Sequence, residues 1–105
     1  LARGWHPNGQ LEVEEPFVEG KSHGKRTRYH PNGQIRSIAQ ITHGVLQGTF
    51  LEYHDNGQIA VRMTMADGLA EGPAQAWNPD GTFKTEVIMH QGEPVQNAAT
   101  AGSNP

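Results

Sequence analysis

Four residue sets advance along the chain in steps of two: Leu11, Val13, Glu15, Phe17; Ile35, Ser37, Ala39, Ile41; Ile59, Val61, Met63, Met65; and Phe83, Thr85, Val87, Met89. A period of two predicts a strand with one side against a core and the other in water. Four long strands are therefore expected, sharing one face. Glu15 and Pro16 interrupt the first set, so that strand should be imperfect. No window carries a sustained 3.6-residue apolar period, and no substantial helix is expected.

The long strands are spaced by a repeat. Trp5-His6-Pro7-Asn8-Gly9-Gln10-Leu11 recurs as Tyr29 to Ile35, Tyr53 to Ile59 and Trp77 to Phe83, each copy 24 residues after the last. Pro suits the second position of a type I turn and Asn or Asp tolerates the third. Gly9, Gly33, Gly57 and Gly81 then take the left-handed position that closes a three-residue hairpin loop with a bulge. These are read as structural turn residues. A second glycine series, Gly20, Gly44, Gly68 and Gly92, is followed four residues later by Gly24, Gly48 and Gly72. The pairs are expected to bracket five-residue hairpin loops leading into short strands at Lys25 to Tyr29, Thr49 to Tyr53 and Pro73 to Trp77.

The fold class predicted is all-β: a single elongated, twisted antiparallel meander of about eight strands built from 24-residue hairpin repeats. Tyr29, Tyr53 and Trp77 are expected on the face of the long-strand apolar residues, unless a bulge at each turn reverses them. Residues 1–95 form the repeat domain, and 96–105, small and polar, a flexible tail. Pro94 would help to blunt the last edge.

Composition narrows function more than it names it. With 105 residues, 34% hydrophobic content, 13 Gly and 7 Pro, the chain has material for one thin-cored domain of short strands. A net charge of −3 lacks the basic footprint of a nucleic-acid binder. Cysteine is absent, which excludes disulfides and thiol chemistry. The sequence opens on Leu1 inside a repeat, which implies a removed upstream segment and favours a periplasmic over a cytoplasmic location.

His6, His30 and His54 occupy one repeat position and invite a metal reading. Equivalent residues two strands apart lie about 9 to 10 Å from each other, whereas zinc holds ligand atoms at ~2.0 to 2.2 Å. No metal site is expected, and these histidines are read as solvent-facing turn residues. No catalytic residues, cofactor motif or enzymatic activity are expected either: Glu12 and Glu14 point the same way into solvent, and Gly20 to Gly24 lacks the pattern of a phosphate loop. Lys21, Lys25, Arg26, Arg28 and Arg36 face an acidic stretch from Glu12 to Glu19, either as cross-strand ion pairs or as a bipolar docking patch. A single sheet also leaves its apolar face to its own curl or to a partner. Tyr53, Met63, Met65 and Trp77, with Arg28, Arg36 and Arg62 as carboxylate clamps, are the candidate partner-binding residues, and Ile41 and Met89 flank them.

The segment Glu19-Gly20-Lys21-Ser22-His23-Gly24-Lys25-Arg26-Thr27-Arg28-Tyr29 resembles the membrane occupation and recognition nexus (MORN) repeat. Joined to Tyr-His-Pro-Asn-Gly-Gln-Ile, the unit is closer to the bacterial variant found in YwqK-family antitoxins. The resemblance spans about Leu1 to Pro94. It implies a scaffolding or binding module whose partner is a protein, and, from the antitoxin label, a toxin or effector neutralised by direct binding. Membrane-associated lipid binding is the alternative, less favoured given the negative charge. Homo-oligomers through free sheet edges remain open. The fourth unit departs from the pattern with Asn78, Thr82 and no second glycine, as a terminal cap would.

Overall fold

The computed structural model describes residues 1–95, so the expected tail at 96–105 lies outside the described residues. The strands are β1 (Ala2–Trp5), β2 (Leu11–Glu15), β3 (Phe17–Val18), β4 (Lys21–Ser22), β5 (Gly24–Tyr29), β6 (Ile35–Thr42), β7 (Val45–Tyr53), β8 (Ile59–Ala66), β9 (Leu69–Ala70), β10 (Gly72–Trp77), β11 (Phe83–His90) and β12 (Glu93–Pro94). One antiparallel sheet runs β1-β2-β5-β6-β7-β8-β10-β11-β12, with β9 attached to β8; β3 and β4 pair apart from it. The eight expected strands are all present, with short arms added at the hairpin tips. Pro16 breaks the first long strand into β2 and β3, as its ring must. The slab measures 49 × 33 × 16 Å, and its radius of gyration of 15.7 Å exceeds the roughly 13 Å of a compact 100-residue domain.

At each Pro-Asn-Gly turn the backbone closes twice. Gly9 N–H donates to His6 O at 2.9 Å and His6 N–H to Gln10 O at 2.8 Å, and the same pair recurs in the other three units. Gly57 sits at φ 90°, a region that costs L residues roughly 1 kcal/mol or more. Beyond the turn the register slips: Tyr29 pairs with Ile35 but Arg28 with Ser37, leaving Arg36 opposite neither. Ala60 and Lys84 are the corresponding extra residues. Across the bulge Tyr29, Tyr53 and Trp77 pair with Ile35, Ile59 and Phe83, the first residues of the long-strand sets.

The glycine-bounded loops are tighter than expected. Each tip is a two-residue turn with positive φ at both positions, the requirement of a type I′ hairpin: Glu19 52° and Gly20 81°, His43 49° and Gly44 84°, Asp67 53° and Gly68 85°, Gln91 52° and Gly92 86°. The second glycine of each pair lies beyond a short arm rather than closing the loop. Gly24, at φ 117°, is also crowded, since a Cβ there would lie 3.1 Å from Pro16 Cγ. Tips are tied in series. Gly44 N–H donates to Ser22 O, Gly68 N–H to Leu46 O and Gly92 N–H to Ala70 O, at 2.7 to 2.9 Å.

The core is thin and central. Among the described residues Ala39, Ile41 and Ala70 are the buried apolar ones, joined by Thr27 and Ser37, and no large side chain is fully enclosed. One cross-strand row runs Val13, Arg28, Ser37, Glu52, Val61, Ala76, Thr85, and directly paired residues share a face. The face expected to be apolar thus carries Arg28 and Glu52 in mid-sheet.

Units are joined mainly at the turns. His6 Nε2 donates to Tyr29 O at 2.8 Å, His30 Nε2 to Tyr53 O at 2.9 Å and His54 Nε2 to Trp77 O at 2.9 Å. A carbonyl only accepts, so each ring carries its proton on Nε2. Two residues on, Asn8 Nδ2 donates to Pro31 O, Asn32 Nδ2 to Asp55 O and Asn56 Nδ2 to Pro79 O, at 2.7 to 2.9 Å, while each Asn Oδ1 accepts from the amide of the following Gln. The histidines are therefore half-buried connectors, which corrects their expected solvent-facing role. The fourth unit ends the series within itself: Asn78 Nδ2 donates to Thr82 Oγ1, and Asp80 Oδ1 accepts from both Thr82 N–H and its hydroxyl.

An intramolecular hydrogen bond contributes about 1 kcal/mol net. Asn32→Asp removes the donor to Asp55 O while keeping the acceptor. It should lower the melting temperature by about 4–8 °C, the shift that 1 kcal/mol gives a domain of this size. Asp80→Asn keeps the Oδ1 acceptor at the end where no further turn follows, and should lower it by less than Asn32→Asp in the same calorimetric scan.

Candidate functional site

A cleft of about 500 Å³ opens on the face of the Glu52–Val61–Ala76 row, near the second, third and fourth turns. Its origin is the bulge. In the extra-residue column the third unit has Ala60, flanked by Arg36 and Lys84, so a gap lies between two cations. Ala76 from β10 keeps the floor low. Tyr53, Trp77, His30, His54 and Asp55 complete the lining. A bulge re-aims the residue it inserts, and here it brings Arg36 and Lys84 to one depression.

A smaller groove of about 280 Å³ adjoins it, lined by Arg26, Arg28, Arg36, Ser37, Phe50 and Glu52. Arg36 borders both. Among the described residues the ion pairs are Arg3–Glu14 at 2.9 Å, Arg26–Glu15 at 3.7 Å and His90–Glu71 at 2.9 Å. One of these, Arg26–Glu15, belongs to the cross-strand pairs expected between the basic residues and the acidic stretch. Arg36, Lys84, Glu52 and Asp55 are in none of them, so the cleft presents both signs of charge beside two aromatic residues.

The candidate residues read from the sequence divide into groups. Tyr53, Trp77 and Arg36 meet in the cleft, and Arg28 joins Arg36 in the adjoining groove. Met63 and Met65 are half-buried on the same face, nearer the hairpin tips, opposite Phe50 and Gly48. Arg62 pairs with Leu51 and Gln75 and alternation turns it to the other face. Ala60, Lys84, Glu52 and Asp55 are among the lining residues that sequence reasoning missed. Aligning the 24-residue units would have shown the signal, a column reading Glu12, Arg36, Ala60, Lys84.

Among the described residues no three His, Asp or Glu side chains gather as a metal site. The two perturbed carboxyls lie elsewhere. The Gln91 amide and the His90 ring hold Glu71 below its ordinary value, and the Thr82 hydroxyl and amide hold Asp80 down.

A single-sheet meander whose 24-residue units are tied turn to turn is a linear repeat protein. The chain belongs to the MORN repeat variant family, whose model matches residues 1–19, 22–42 and 46–67, more than half of its length. The first three Pro-Asn-Gly-type turns fall in the matched stretches and the capping fourth does not. Neither the curated proteins nor the solved structures give a significant match.

Acid should loosen the C-terminal half first. A carboxylate with a depressed native pKa adds stability that is full above its unfolded value, about 3.9 for Asp and 4.3 for Glu, and that disappears as pH falls through the native value. Melting followed from pH 6 to pH 2 should show a fall beginning below about pH 4. In Glu71→Gln and Asp80→Asn that fall should be shallower.

Proposed function

We propose that this protein is a non-enzymatic binding module that engages a partner protein through the cleft around Arg36, Tyr53, Trp77 and Lys84, and that it serves as an immunity protein or antitoxin against a bacterial toxin or effector. The observation that carries the reading is the pairing of aromatic residues with charged groups that take part in no ion pair of the described residues. Arg and Trp, here an exposed Arg36 and a half-buried Trp77, are residue types that dominate protein interfaces. Arg36 and Lys84 suit partner carboxylates; Glu52 and Asp55 suit partner cations. Membership of a repeat family supports binding as the general role, because stacked units build extended recognition surfaces. A toxin inhibitor of this shape acts by covering a site, since an interface of standard size, ~1,600 Å², could extend over both grooves and their margins.

The test is affinity capture from the source cells with the tagged chain, followed by calorimetry on the purified pair. Arg36→Ala and Trp77→Ala, each verified as folded by circular dichroism, should weaken binding by at least ~1 kcal/mol, and Arg62→Ala on the opposite face by less. A partner indifferent to both cleft variants would overturn the site. Binding to anionic liposomes with no protein captured would replace the protein-binding reading with the lipid one.

A further inference from the structure

Three of the four turns carry an Asn-Gly pair, at Asn8-Gly9, Asn32-Gly33 and Asn56-Gly57, and all six residues are exposed. That linkage is reactive. The backbone nitrogen that follows an asparagine can attack its side-chain carbon Cγ to close a five-membered imide, and glycine, having no Cβ, screens that nitrogen least. Each of these turns supplies parts of the reaction. Oδ1 of Asn8, Asn32 and Asn56 accepts from the amide two residues on, at 2.9 Å. The bond folds the side chain back along the intervening glycine and polarises the Cγ carbonyl as an oxyanion donor does. Two other bonds restrain the turn. The glycine N–H donates to the histidine carbonyl at 2.9 to 3.0 Å, and Nδ2, the nitrogen that must leave, donates to the next turn at 2.7 to 2.9 Å.

We propose that Asn8, Asn32 and Asn56 are sites of covalent self-modification, converting to aspartyl and isoaspartyl residues, and that the bond from each Nδ2 to the following turn is the restraint that sets the rate. Water is the only co-reactant. Hydroxide takes the glycine N–H proton, the nitrogen bonds to Cγ, and the Cγ–Nδ2 bond breaks to release ammonia, which takes its proton from water. Water then opens the imide at either carbonyl, leaving an Asp in the original chain or one linked through its side chain. Asparagine and water thus become aspartate and ammonium.

The fourth turn shows what a converted unit keeps and what it loses. Asp80 Oδ1 accepts from the Thr82 amide at 2.9 Å, as the asparagines accept from theirs, but its carboxylate has no hydrogen to pass forward. A converted Asn32 therefore releases Asp55 O, and the turn that contains Asn56 loses one of its fastenings. Conversion at one turn speeds conversion at the next. Each event is irreversible and adds a negative charge. Asp55 also lines the cleft, so the event at Asn32 reaches that wall.

The test incubates the whole folded protein in mildly alkaline buffer and follows each asparagine by peptide mass spectrometry. Asn8, Asn32 and Asn56 should convert, with isoaspartyl product beside aspartyl, the signature of an imide. Asn78 should stay an amide, because Pro79 has no N–H to lose. In Asn32→Asp, conversion at Asn56 should run about fivefold faster, the factor that one hydrogen bond of typical net strength sets, and conversion at Asn8 should change less. Wild-type molecules already converted at Asn32, separated by ion exchange on their added charge, make the same comparison without a substitution. No conversion in the folded protein under conditions that convert it in urea would overturn the proposal, and so would aspartyl product alone. Equal rates at Asn56 in the parent and in both Asn32-altered forms would overturn the Nδ2 bond as the restraint.

Discussion

The structure depends on a side chain of one turn reaching the backbone of the next. A one-layer sheet of this size has little interior to hold it: among the described residues three apolar ones are buried, two of them alanines. Packing of that kind would leave adjacent hairpins free to twist against each other. The His–carbonyl and Asn–carbonyl bonds remove that freedom at the turn end, and the amide–carbonyl bonds between tips do so at the other. Between these two rails the strands keep register. The histidine link is robust to protonation as well, because an imidazolium still donates from Nε2.

The turn that fastens the units also shapes the surface. Closing a three-residue loop with a left-handed glycine forces a slip in pairing, and the slip inserts one unpaired residue per unit. Where that residue is long and charged, as at Arg36 and Lys84, it walls a depression; where it is short, as at Ala60, the depression opens. Variation at one column can therefore change the recognition surface without altering the hydrogen-bonded frame, which separates what binds from what holds.

The frame was largely legible in the sequence. The 24-residue period, the period-two strands, the bulge and the fourth unit as cap all follow from residue types at fixed spacing. What was not legible were relations between units. His6 looks like an exposed turn residue until Tyr29 O, 23 residues on, lies 2.8 Å from its ring. The tips were read as five-residue loops because Glu19 and Gln91 give no sign of accepting positive φ. Part of the cleft was missed for a similar reason: Tyr53, Trp77 and Arg36 were read as candidates, but Ala60 and Lys84 are bulge residues, whose direction the alternation rule cannot predict.

Every strand of the main sheet pairs with its neighbours in the chain, and every rail bond between turns spans the same 23 residues. The topology has no late-arriving partner. At about 5–20 residues per second of synthesis, one complete unit leaves the ribosome every few seconds, and the unit before it already offers the donors and the strand edge that it needs. The chain can thus be laid down in final form from the N-terminus onward. Asp80 and Thr82 close the series of turns by bonding to each other, and β11 and β12 follow to finish the sheet.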